Sequence, residues 1–227
     1  MRISELSRVT GVPIPTIKYY LREGLLPRGT STAPNQADYG EDHVRRLRLI
    51  RVLRDVGDLG IAQVRRVLEA IDREDLPLHQ VLGVAHHALG PPPDPGPVPD
   101  EVAGARADVD RFLARLRWRV SREAPARRTL ADALVALRRL GRKDGVEVFR
   151  PYAEAADRIA SWELSRAPPA ASLAENVEWL VVGTVVFEAA LAALRRLAQE
   201  HHSALRFAGR AGRRRRRPAS TTDTAFA

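Results

Sequence analysis

Within GVPIPTIKYYLREGLLP, Gly11 to Pro27, a hydroxyl, an ammonium, a phenol and a guanidinium stand at Thr16, Lys18, Tyr19 and Arg22. These are the donors that bind phosphate oxygens and the acceptor edges of bases. Ile17 and Leu21, four residues apart, supply an apolar face to the same segment. That spacing predicts a helix with one side turned inward and the polar groups left outside. Pro13 and Pro15 suit its start, because N–H groups in the first turn of a helix have no carbonyl partner to lose. Gly24 ends it and Pro27 prevents its resumption, so the helix expected over Pro15–Glu23 is fixed at both ends.

The neighbouring segments must position this helix. Ile3–Val9 reads as a short helix with Leu6 and Val9 on one face, and Thr10–Pro13 as a tight turn, which together make a helix-turn-helix. Pro27–Gly40 (PRGTSTAPNQADYG) is rich in turn formers and reads as a loop or a small two-stranded wing. Glu41–Val56 is a strong helix. Val44, Leu47, Leu49, Ile50, Val52, Leu53 and Val56 form its inner side, and Arg45, Arg46, Arg48, Arg51 and Arg54 a mostly solvated outer face. Gly57–Gly60 breaks it, and Ile61–Ile71 is the next amphipathic helix.

This ordered set, TIKYY, EGLLP, a loop closing on Tyr39, an Arg-rich helix and IAQVRRVL, resembles the DNA-binding domain of the MerR family of transcriptional regulators over residues 3–71. The resemblance implies a winged helix-turn-helix that binds double-stranded promoter DNA as a homodimer. It also implies that the protein bends and untwists an overlong promoter spacer so that RNA polymerase engages both hexamers, with phosphate contacts offsetting the elastic cost. Carried over by motif, Thr16, Lys18, Tyr19 and Arg22 lie on the recognition helix, and Arg28, Asn35, Gln36 and Tyr39 in the wing. Arg45 reaches the DNA backbone from the following helix. Tyr20 is either a further contact or a packing group against the wing.

The expected fold class is all-α with a small wing. The DNA-binding domain covers residues 1–77, an extra helix 78–90, a proline-rich linker 91–99 (PPPDPGPVP) and a helical dimerisation or effector region 100–207. A disordered basic tail covers 208–227. In the helix expected over Glu101–Val120, Val102, Ala105, Val109, Phe112 and Leu116 follow 3-4-3-4 steps, a short coiled-coil seam that would serve as the dimer helix. The dimerisation residues are then Val102, Val109, Phe112 and Leu116, although the same spacing suits an intrachain bundle. Further helices are expected at about 127–140, 146–166 and 173–206. Phe149, Tyr152, Trp162, Trp179 and Phe187 line either an effector pocket, whose effector is unknown, or the core.

Composition limits the alternatives. The chain of 227 residues has no cysteine, which removes disulfides, thiolate metal sites and cysteine nucleophiles. Adjacent histidines at His86-His87 and His201-His202 diverge by about 100° on a helix, so neither pair chelates. With no catalytic, metal or cofactor motif, nothing indicates an enzyme. The longest apolar run, Trp179 to Leu194, contains Glu188 and is too short for a membrane span, so the expected location is cytoplasmic. The net charge of +9 divides as +2 over residues 1–77, +1 over 78–200 and +6 over 201–227, so the excess sits in the tail. Two other readings stay open: an architectural or excisionase-like DNA binder without transcription activation, and a protein-interaction module centred on the helical C-terminal half.

Overall fold

The apolar periodicities become nine α-helices and one hairpin in a computed structural model that describes residues 1–34, 36–73, 78–90, 96, 98–166 and 173–214. The chain divides into two units, Met1–Val185 and Val186–Ala227. In the first unit, α1 (Ile3–Thr10) and α2 (Ile14–Arg22) pack with α3 (Glu41–Asp55), α4 (Ile61–Ile71) and α5 (Leu78–Leu89) around Leu6, Ile17, Leu47, Ile50, Leu53, Val64 and Leu68. Gly11 makes the α1–α2 turn at φ +68°, a left-handed conformation costly for any residue with a Cβ. Its N–H closes on the Ser7 carbonyl at 2.8 Å, and the Ser7 hydroxyl donates across the turn to the Val12 carbonyl at 2.6 Å. The helix-turn-helix is therefore held by local hydrogen bonds as well as by apolar contact.

The wing is an antiparallel pair, β1 (Thr30–Ala33) with β2 (Gln36–Asp38). Thr30 faces Asp38 and Ser31 faces Ala37, with an irregular register before Ala33. Asn35, at the tip, lies outside the described residues.

A second core in the same unit joins α6 (Asp100–Leu116), α7 (Pro125–Arg139), a 3-10 turn (Val146–Phe149) and α8 (Arg150–Leu164). Here the residues of the expected dimer seam pack within the chain. Val109 and Phe112 are 0% and 1% exposed, buried with Ala131, Leu134 and Val135 of α7, and Val102 and Leu116 pack on the same cluster. Ion pairs flank this packing: Arg139 with Glu101, Arg138 with Asp108, and Arg127 with Asp110. The Arg138 hydrogen bond, helped by Arg111, lowers the Asp108 carboxyl below its usual range against a smaller cost of burial. The seam is consumed inside the chain because α6 ends at Leu116, earlier than expected, with Arg117 in the left-handed region at φ +58°. That reversal turns the chain back so that α7 covers the apolar face of α6. Most of the expected linker, residues 91–95 and 97, lies outside the described residues.

The last helix, α9 (Leu173–Arg214), contributes to both units. Its first part returns to the first core rather than to the second: Val181 and Val185 are buried there with Ala85 and Ala88 of α5. The His86 ring nitrogen lies 3.2 Å from the Thr184 hydroxyl across that contact. In the second unit α9 runs to Arg214, into the segment expected to be an unstructured tail; residues 215–227 lie outside the described residues. No helix among the described residues is long and apolar enough to cross a membrane.

Candidate nucleic-acid interface

Pro13 is the N-cap of α2 and Pro15 stands in its first turn, so the helix begins one residue before the expected start. Ile17 is fully buried, and Leu21 is half-buried against the same core. With that side anchored, Lys18 and Arg22 are exposed, and Thr16 and Tyr19 are half-buried at the edge of the same surface. The Arg22 guanidinium sits 5.4 Å from the Tyr19 ring centroid, a cation–π contact that holds both groups in place before any ligand arrives. At the exit, Gly24 takes φ +70°, and the N–H groups of Leu25 and Leu26 both return to the Tyr20 carbonyl. Leu25 and Leu26 are buried, which explains how the apolar pair in EGLLP fixes the angle at which α2 leaves the domain.

Tyr20, read from the sequence as a contact or as a wing prop, is a core residue, 7% exposed. Burial pushes its phenol above the ordinary value, with Arg54 pulling the other way and Asp55 adding to the rise. These two charges belong to α3, so Tyr20 packs toward α3. Tyr39, expected as a wing contact, is buried in the first core, 8% exposed. It meets the His43 ring edge-to-face at 5.1 Å. Its backbone is bound on both sides by Met1: the N-terminal ammonium donates to the Tyr39 carbonyl at 2.9 Å, and the Tyr39 N–H donates to the Met1 carbonyl at 2.8 Å. Tyr39 thus ties the base of the wing to the start of the chain. Arg28 and Gln36 are exposed on the wing, where DNA contacts were expected.

Arg2 was missed from the sequence. It donates to the Thr32 hydroxyl at 2.9 Å and lies 3.8 Å from the Asp38 carboxylate, so it braces both wing strands and adds a cation beside them. No local pattern marks it, since the partners are 30 and 36 positions away.

The arginines of α3 do not form the plain solvated face expected of them. Arg46 donates its Nε to the Leu25 carbonyl at 2.7 Å and pairs bidentately with Asp72 at 2.7 and 2.8 Å. Arg51 donates to the Thr10 carbonyl at 2.9 Å and Arg54 to the Leu59 carbonyl at 3.1 Å. These three are braces for the α1–α2 turn, the exit of α2 and the α3–α4 turn. Arg45 is exposed at the N-terminal end of α3, among Asp42, Glu175 and Glu178.

The five aromatics of the proposed effector pocket occupy different surroundings. Phe149 packs on the second core and Trp179 is half-buried on the first part of α9. Tyr152 and Trp162 are exposed on α8, and Phe187 is exposed in the second unit. Among the described residues no group of His, Asp or Glu is arranged to hold a metal ion.

The family model described as MerR HTH family regulatory protein matches residues 1–71. Over 68 residues the chain is 38% identical to the HTH-type transcriptional regulator HmrR of Sinorhizobium medicae (strain WSM419), covering 30% of this chain and 46% of that protein. Over 68 residues it is 32% identical to the ZntR homolog of Haemophilus influenzae (30% of this chain, 50% of that one). The chain thus spans about half the length of these curated relatives. A crystal structure of a candidate transcriptional regulator from Streptomyces coelicolor A3(2) extends the likeness: 44% identity, TM-score 0.70, 91% of this chain and 98% of that one. Taken with the helix-turn-helix, the wing and the Arg-braced third helix, these matches show that the chain belongs to the MerR family of HTH regulatory proteins.

Proposed function

We propose that this protein is a sequence-specific transcriptional regulator that binds promoter DNA as a homodimer in the cytoplasm and distorts the promoter spacer for RNA polymerase. The observation that carries the reading is the α2 surface. Lys18 and Arg22 are exposed beside Tyr19 on a helix anchored by buried Ile17. Two such surfaces related by a two-fold axis would meet half-sites one helical turn, or a multiple, apart. The heavy-metal response named in some relatives, such as the mercuric resistance regulator of Bacillus cereus, does not carry over through thiolate ligands, because this chain has no cysteine.

With α6 committed inside the chain, the second part of α9 is the better dimer element. Residues 187–207 are exposed on every side, although an isolated helix of this length is marginal in water. Phe187, Leu191, Leu194, Leu197 and Leu205 form one stripe at helical spacing. Set antiparallel about Leu197 and Ala198, two copies place Leu191 opposite Ala204, Leu205 opposite Ala190 and Leu194 opposite His201. Two of these three pairings set a leucine against an alanine. The test of the DNA-binding reading is footprinting on the protein's own promoter region. Lys18→Ala is expected to lose the protected half-sites; unchanged protection would reject α2 as the recognition helix.

A further inference from the structure

Three carboxylates surround Arg45. Its Nε lies 3.4 Å from Glu178, its Nη1 3.9 Å from Glu175, and its Nη2 3.4 Å from Asp42. Asp42 is a neighbour on α3, whereas Glu175 and Glu178 stand three apart on the first turns of α9, on one helix face. Asp42 and Glu178 border a cleft of about 380 Å³ that is also lined by Glu41, Val44, Arg45 and Arg48.

We propose that this acidic edge of α9 is an autoinhibitory clamp: it occupies Arg45 in place of a DNA phosphate, and full engagement of DNA requires the first turns of α9 to withdraw from α3. The inference rests on the reading of Arg45 as a backbone contact. A guanidinium facing two carboxylates at salt-bridge range is not free to pair with a phosphate, and the clustered negative charge itself repels DNA. The clamp is also weak enough to open. Its contacts are long for charge-assisted hydrogen bonds, and half of the Arg45 side chain is exposed. Burial raises the Glu178 carboxyl above its usual range, and the opposing pull of Arg45 does not cancel that rise. The fold therefore gains little from keeping this contact closed. Movement at α9 would open it directly. The same helix docks through Val181, Val185 and the His86–Thr184 contact, so whatever shifts that docking shifts both glutamates. DNA affinity is in this way tied to the position of the helix that carries the proposed dimer stripe.

The test uses the full chain and fluorescence anisotropy on its footprinted site across a salt series. The double variant Glu175→Gln/Glu178→Gln is expected to bind roughly two- to five-fold more tightly per protomer, the range an exposed ion pair supports. Its slope of log affinity against log salt should steepen by about one per protomer, one added phosphate contact each. In an Arg45→Ala background most of that gain should vanish. An equal gain in that background would mean simple loss of negative charge and overturn the clamp, as would no gain at all. Lys18→Ala run in parallel keeps the two ideas apart. If it leaves binding intact, the DNA-facing reading fails; if it weakens binding and the glutamate variant still gives no gain, only the clamp fails.

Discussion

Replacing Arg46 by alanine separates structural from DNA-contacting arginines on α3. The Arg46 side chain is 18% exposed and makes three hydrogen bonds to groups distant in sequence. The bond to the Leu25 carbonyl is partly buried, and its loss strands an acceptor at the exit of α2, at a cost of about 1–2 kcal/mol. The bidentate pair with Asp72 is individually stronger, but the Asp72 side chain is 52% exposed, so solvent screening reduces it to about 0.5–1 kcal/mol. The sum, about 1.5–3 kcal/mol, corresponds to a fall of roughly 3–12 °C in melting temperature for a chain of this length. Calorimetry measures that fall, and Asp72→Asn should reproduce only the smaller share. Specific DNA affinity at a temperature where the variant remains folded should change little. An Arg46→Ala protein that melts like the wild type and yet loses DNA binding would refute this account and place Arg46 at the interface.

A Cβ added at Gly29 would stand 2.6 Å from the Asp38 carbonyl oxygen and 3.0 Å from the Tyr39 ring. Gly29→Ala should therefore loosen the wing at a cost of about 1–3 kcal/mol, seen as faster amide exchange over residues 30–38 and weaker DNA binding with α2 unchanged. His86 has its pKa lowered, first by burial and then by the neighbouring His87. The folded state therefore resists its protonation while the unfolded chain accepts a proton near pH 6.5, so stability present above that pH is lost as the pH falls through it. Melting curves between pH 7.5 and 5.5 should show this loss, and His86→Gln, which keeps a polar partner for Thr184, should reduce it. Leu194 is 62% exposed and Phe112 is 1% exposed. Leu194→Glu should shift the chain from dimer to monomer in sedimentation without lowering its helix content, whereas Phe112→Ala should cost about 3–5 kcal/mol of stability through the cavity it leaves.

Helix-forming pattern and turn chemistry are local properties, and they were legible in the residues themselves. The helix starts and stops at Gly11, Pro13, Gly24 and Gly40 need only a few neighbours to act, and the observed elements follow them closely. Partner identity is not local. A seam of two heptads at Val102–Leu116 states that an apolar face must be covered, but not by which helix. The left-handed residue Arg117 decided that in favour of α7 in the same chain, and a non-glycine residue in that conformation leaves no simple sequence mark. Tyr20 follows the same logic. Adjacent tyrosines differ by about 100° around the helix, so Tyr19 stays at the surface while Tyr20 turns to the core. The spacing from Ile17 already favours Tyr20 as the inner one; α3 shows what it packs against.

The arginines of α3 carry the broader consequence. Residues 1–77 have a net charge of only +2, and Arg46, Arg51 and Arg54 are already bound to carbonyls or carboxylates within the fold. Counting basic residues on an amphipathic helix therefore overstates what this domain offers to phosphate. The exposed cations that remain are dispersed, among them Arg2 and Arg8 near the start of the chain, Lys18 and Arg22 on α2, Arg28 before the wing, Arg48 on α3, and Arg45 beside the carboxylates of α9. On the proposed reading, each cation held within the fold or released to a phosphate changes the electrostatic attraction, and Arg45 is one of a small number that could do so. A more basic domain would bind DNA regardless of what its C-terminal helices do. A domain this close to neutral can have its affinity set by the assembly of two copies and by the docking of one helix.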